Sequence, residues 1–410
     1  MLNINKRKLK SAVGLLIYTM MIICACQVLF CNSAYAEDTG GNASDDRQRI
    51  LDQQLQSQEI QTIKDSINKQ ADKNADEILP GYRPEDIIED ASKGNFKFDF
   101  VGILNRGIKY LFKEIYQNID ILIKLIILAV FCAILRNLQT SFMSDNVGEL
   151  AFYACYAVIA SIMVISLNMA LSLGMDIINS MVNFMHATIP VLITLLVSGG
   201  NAASGSAFRP ILILIVEVSA TIFKNVLMPL VFLSAILSIV DNISDKIQIS
   251  KLAGFLKQIC FWGIGLTLSI FIGVITIQGS VGAVVDGVTS KTAKFAIGAL
   301  VPVAGKYLAD AADTVVGCTL LIKNAAGIAA MVGIISICVI PLLKIAALII
   351  LYRLTAVFIE PIAEKRITDC ISNIANSLTY ILGIAASVAL MFLIAITAII
   401  TASSVTAAVR

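Results

Sequence analysis

"GIAAMVGIISICVIPLLKIAALIIL", residues 327–351, is the stretch on which the reading of this chain turns. A helix that crosses the hydrocarbon of a bilayer needs about 20 predominantly apolar residues, and this run supplies them. The composition agrees: the 410 residues are 57% hydrophobic and only 15% charged, whereas a soluble protein carries about 25% charged residues. The excess apolar surface therefore faces lipid. Working outward from 327–351, comparable runs lie at 119–136, 150–172, 177–197, 211–240, 259–277 and 379–401, which makes seven hydrophobic segments. The expected fold class is an all-α, polytopic helical membrane protein over 119–410.

The run 211–240 is longer than one crossing requires and contains Glu217, Lys224 and Pro229. It reads either as one tilted, kinked helix or as two half-helices in a re-entrant hairpin. Basic residues favour the cytoplasmic side. Neither arrangement places every loop lysine and arginine correctly, and the count leans to the hairpin.

Residues 1–36 have the form of a secretory signal peptide. Lys6, Arg7, Lys8 and Lys10 precede an apolar stretch, and Ala34-Tyr35-Ala36 offers a cleavage site. Residues 37–118 are then a short extracytoplasmic polar and amphipathic helical region. Leu51, Leu55, Ile60, Ile63 and Ile67 form a narrow apolar stripe, expected on a helix that contacts a partner. Leu104, Ile108, Leu111 and Ile115 form a second, suited to a helix lying on the membrane surface.

Between the last clean spans, residues 278–326 are neither span nor ordinary loop. Gly279, Gly282 and Gly287 predict a flexible start. Beyond Pro302 and Gly305 the pattern turns helical, with Lys306, Asp310 and Asp313 on one face. Two readings of that charged stripe stay open. It lies at the interface with its charges to water, or it faces an aqueous cavity or a partner's helix; an ion relay is a third, narrower option. Glu360-Pro361 ends the following helix, and Glu364, Lys365, Arg366 and Asp369 form a mixed-charge connector.

Enzyme signatures fail on spacing. Gly298 and Gly305-Lys306 are too far apart for a phosphate-binding loop, and Tyr307 stands where Ser or Thr is required. His186 is the single histidine, so it reads as an interhelical hydrogen-bonding group and not as part of a zinc site. The nine cysteines form no CxxC pair and read as small buried hydrophobes. No cofactor and no nucleic acid are expected; the one partner composition itself requires is the lipid bilayer.

"VPVAGKYLADAADTVVGCTLLIKNAAG" (301–327) and "IPLLKIAALIILYRLTAVFIEPIAEKRITDCISNIANSL" (340–378) resemble the stage III sporulation protein AE family of endospore-forming bacteria. The resemblance implies a non-enzymatic membrane subunit of a channel complex between mother cell and forespore, located in the mother-cell membrane around the forespore. It also implies partners: other stage III sporulation membrane proteins, a cytoplasmic ATPase and a forespore-side membrane protein. Pro302, Gly305, Lys306, Asp310, Asp313, Glu217, Lys224, Glu360 and Pro361 are then candidate assembly or pathway residues. The alternative is a small-solute permease, alone or with a separate ATPase, prompted by the interrupted 211–240 run and its charges.

Overall fold

The structure is a computed structural model that describes residues 53–71, 75–92, 99–142, 145–243, 249–300 and 305–408, with side chains except in 136–151, 280–284, 287–313 and 403–408. The signal-like segment 1–36 and Pro302 lie outside the described residues. Every element among those described is helical. In chain order they are α1 (Gln58–Gln70), α2 (Ala75–Ile78), α3 (Pro84–Ser92), α4 (Phe100–Gln117), α5 (Ile119–Phe142), α6 (Asp145–Ser198), α7 (Ala202–Ile222), a π-helical turn (Phe223–Leu227), α8 (Met228–Asp241), α9 (Ser250–Leu300), α10 (Gly305–Ile359) and α11 (Lys365–Ala408).

The seven apolar segments fall in fewer helices. Five helices are long and apolar enough to cross a membrane; α4 and α5, bent by 44° at Asn118, would add a sixth only if the pair is counted as one span. The segments 150–172 and 177–197 are one helix, the 54-residue α6, about 80 Å long at 1.5 Å per residue. Gly174, between the two expected segments, does not end the helix. Gly174 serves packing instead: a Cβ there would lie 2.7 Å from Met228 Cε and 3.0 Å from Ile381 Cγ2. Three helices meet at that point because one residue has no side chain.

The hairpin expected in 211–240 is replaced by a continuous helical run from Ala202 to Asp241. Pro229 should break a helix, since it has no N–H for the Asn225 carbonyl and its ring crowds that oxygen. The preceding turn widens to accommodate it. Met228 N–H reaches back to the Phe223 carbonyl, five residues away, and Phe223–Leu227 takes the π form. The glycine-rich 278–300 is likewise helical throughout, as the second half of α9, and the lysine at 323 is inside α10, not in a loop.

Between α6 and α7 the chain reverses in a Schellman motif. Gly200 takes φ 82°. Asn201 N–H donates to the Leu196 carbonyl (3.2 Å), and Gly200 N–H to that of Val197 (3.0 Å).

α11 is the central helix and packs against α6, α8, α9 and α10. Its Ala385 and Ala389 are fully buried, where small side chains allow the close helix approach on which association in lipid depends. Tyr156 on α6 donates to the Ile239 carbonyl at the end of α8 (2.7 Å). None of the six described cysteines is in a disulfide, and five of them are buried.

The apolar stripe of α1 meets this chain's own bundle. Ile60, Ile63 and Ile67 are buried, and α1 packs on α6 and α10. A Cβ on Gly333 would come 2.8 Å from Ile67 Cγ1 and 3.1 Å from Phe184 Cζ, so the glycine makes the seat for α1. The α4 helix begins at Asp99, whose side chain accepts from Gly102 N–H (2.9 Å), and it leaves Leu104, Ile108 and Phe112 exposed.

Candidate functional site

Polar side chains gather along one seam of an otherwise apolar bundle, where α6 lies antiparallel to α7. Lys224 Nζ donates to Asn179 Oδ1 at 2.8 Å. His186 Nε2 meets Glu217 Oε2 at 3.1 Å. The spacing explains why these four side chains find each other. Residues 179 and 186 are two turns apart on one helix, and 217 and 224 are two turns apart on the other. Antiparallel packing therefore makes two polar rungs about 10 Å apart along the axis.

Glu217 and Lys224, expected to share a helical face, do so, each engaged across the seam with α6. His186 makes the interhelical hydrogen bond expected of it. The π turn that holds Lys224 directly precedes Pro229, so the site includes a widened turn. Both rungs fall within helices apolar enough to span a membrane, Phe152–Ser198 and Ala202–Asp241. Within hydrocarbon an uncompensated charge costs at least about 2.5 kcal/mol, so wherever the seam meets lipid its hydrogen bonds are strongly favoured. Asp176 and Asn183 continue the exposed polar face of α6 on either side of Asn179.

Two further polar anchors were missed in the sequence. Asp286 on α9 is buried, and its carboxylate accepts from Ala203 N–H (2.9 Å) and Ser204 N–H (3.1 Å) at the start of α7. It caps a helix more than eighty residues away in the chain, while Asn201, the residue at the cap position, makes no side-chain cap bond to α7. The other anchor is Lys323, fully buried, whose Nζ donates to the carbonyls of Ile400 (2.9 Å) and Ile399 (3.4 Å) on α11. A carbonyl oxygen has two lone pairs, so it can serve a lysine as well as its own helix. A buried lysine is legible in a sequence only once its helix is known to face inward.

The remaining candidates are spread out. Gly305, Lys306, Asp310 and Asp313 lie in the first turns of α10, and their side-chain arrangement is outside what is described. Glu360 and Pro361 are exposed in the turn that ends α10, where Ala363 N–H closes back on the Ile359 carbonyl (2.7 Å). In the connector, Glu364 and Arg366 pair at 3.5 Å, and the Arg366 guanidinium sits 5.8 Å from the centre of the Phe152 ring. Among the described residues, no three His, Cys, Asp or Glu side chains converge as a metal ion would need.

Long apolar helices around a buried α11, with a polar seam on one side, define a multi-pass helical membrane protein. The family model "Stage III sporulation protein AE" matches residues 82–403, and the chain belongs to that family. The Stage III sporulation protein AE of Bacillus subtilis (strain 168) is 36% identical over 329 residues, covering 80% of this chain and 82% of that protein. No solved structure matches the chain.

Proposed function

We propose that the chain acts in sporulation as a non-enzymatic membrane subunit of a transport or channel complex linking mother cell and forespore, needed to maintain the forespore and its late development. The observation that carries this reading is family membership across the whole membrane-spanning part, residues 82–403. Its place is the mother-cell membrane that surrounds the forespore. The N-terminal 1–36 is its signal peptide, and 37–118 its extracytoplasmic region. Its partners are other stage III sporulation membrane proteins, a cytoplasmic ATPase that supplies energy and a forespore-side membrane protein.

Within that complex, Lys306, Asp310 and Asp313 present a fixed charge pattern to a neighbour or to an aqueous path, with Gly305 as the first residue of their helix. Glu360 and Pro361 shape the exposed turn at the far end of it. The permease alternative drew on an interrupted 211–240 helix, and that helix is continuous, so the alternative keeps only the polar seam in its favour.

Affinity purification of the tagged chain from sporulating cells tests the proposal. The expected result is co-purification of stage III membrane proteins and an ATPase, with Asp310→Ala lowering their recovery more than Lys64→Ala. Recovery of the chain alone, together with solute flux in vesicles holding only this protein, would favour the permease.

A further inference from the structure

The polar seam reaches the surface of the chain, with Asp176, Asn183, His186 and Glu217 exposed and Asn179 and Lys224 half-buried, yet its surroundings are those of a lipid-facing wall. Leu214, Val218 and Val226 flank Glu217 and Lys224 on α7 and the π turn, and all three are exposed. The neighbouring α9 turns Trp262, Leu266 and Ile270 outward. It does so at the same depth, since a Cβ on Gly263 would touch Leu227 Cδ2 at 2.7 Å, three residues from Lys224. Asp176, Asn179, Asn183, His186, Glu217 and Lys224 thus form a polar strip within an apolar belt. Lipid is a poor solvent for such a strip, so a protein surface over it would be favoured.

We propose that a second copy of this chain covers the strip, through a two-fold contact about an axis along the membrane normal. Charge complementarity at equal depth favours this occupant. Two copies inserted the same way place equal residues at equal levels, and in a two-fold contact residue i meets j while j meets i. Lys224 lies level with Asn179, and Asp176 is three residues from Asn179 on the same helix, about 4.5 Å along the axis. Asp176 of one copy therefore faces Lys224 of the other, and the reverse.

The chemistry of each group permits the exchange. Asp176 has no hydrogen-bond or ion-pair partner among the described residues. Lys224 has three donors and uses one of them on Asn179. His186 and Glu217 also sit level with each other, so their carboxylate and imidazole can be shared between copies. Asn183 falls between the two rungs, opposite its own counterpart, where two amides can pair donor to acceptor. This inference stands apart from the proposed function, because it needs no sporulation partner.

The test uses two differently tagged full-length copies expressed together in the membrane of a vegetative bacterium that lacks sporulation partners. Wild-type copies are expected to co-purify in mild detergent. Asp176→Lys in both copies, or Lys224→Asp in both, is expected to lower recovery by about tenfold. The combined exchange, which restores opposite charges across the contact, is expected to return it. Wild-type copies that do not co-purify, or single exchanges without effect, would overturn the proposal and leave the strip to a different subunit or to water. Asn183→Cys covers the case in which a charge exchange fails to accumulate: oxidation of intact membranes is expected to cross-link it into a dimer, and Trp262→Cys on the lipid face is not. Equal cross-linking at the two positions would also overturn it.

Discussion

The carboxylate of Asp286, buried on α9, receives the backbone N–H of Ala203 at 2.9 Å at the opening of α7. A helix begins with N–H groups that have no partner within it, and Asp286 also takes that of Ser204. The carboxylate's charge suits the positive end of the helix dipole. One side chain thereby fastens the α6–α7 turn to α9. Loss of a side-chain cap costs about 0.5–2 kcal/mol. Asp286→Ala is expected to lower the thermal stability of the purified chain by that order, and Asp286→Asn by less. Equal midpoints for the parent and both variants would show that the cap contributes nothing.

Gly333 is the seat of α1. Gly333→Leu fills the space that Ile67 and Phe184 occupy, and α1 is expected to leave the bundle. Limited proteolysis of membranes reads this directly: cleavage within 58–70 should rise in the variant while the spanning helices stay protected. Unchanged protection of α1 would contradict the packing described.

Tyr156 ties α6 to the last turn of α8 through the Ile239 carbonyl. Tyr156→Phe removes the hydroxyl and leaves the ring in place, at an expected cost of about 1 kcal/mol. Thermal denaturation in detergent measures it. Tyr156→Ala, which also leaves a cavity, should cost several-fold more.

Lys323 donates to two carbonyl oxygens on α11. Lys323→Met keeps the length of the side chain and removes its charge, so the chain should still accumulate in the membrane. Lys323→Glu sets a carboxylate against those carbonyls, and accumulation is expected to fall sharply. Quantitative blotting of membrane fractions distinguishes the two, and equal amounts of both variants would contradict the position assigned to Lys323.

Much of this architecture is written in apolar runs, which reveal that a segment is helical and buried in lipid or protein. They do not reveal where one helix stops. Residues 150–172 and 177–197 read as separate spans, yet one helix runs through Ser172 and Asp176, polar residues that lie on its exposed face. Pro229 misled in the opposite way: it marked a break, and the chain answered with a π turn. The Glu217 and Lys224 spacing was legible as a shared face. Their partners Asn179 and His186 required the antiparallel register of α6 and α7, which no local pattern contains. Asp286 and Lys323 act through helices distant in sequence, so only the assembled bundle identifies their roles.

A subunit of the proposed complex between mother cell and forespore is required for late forespore development. Deletion of this chain's gene in the native host, followed by imaging of sporulating cells with a membrane dye and a late forespore reporter, tests most directly whether the chain is such a subunit. The expected result is complete engulfment followed by forespores that shrink and never switch the reporter on, with rescue by a wild-type copy. Normal, refractile spores with full reporter signal would contradict it.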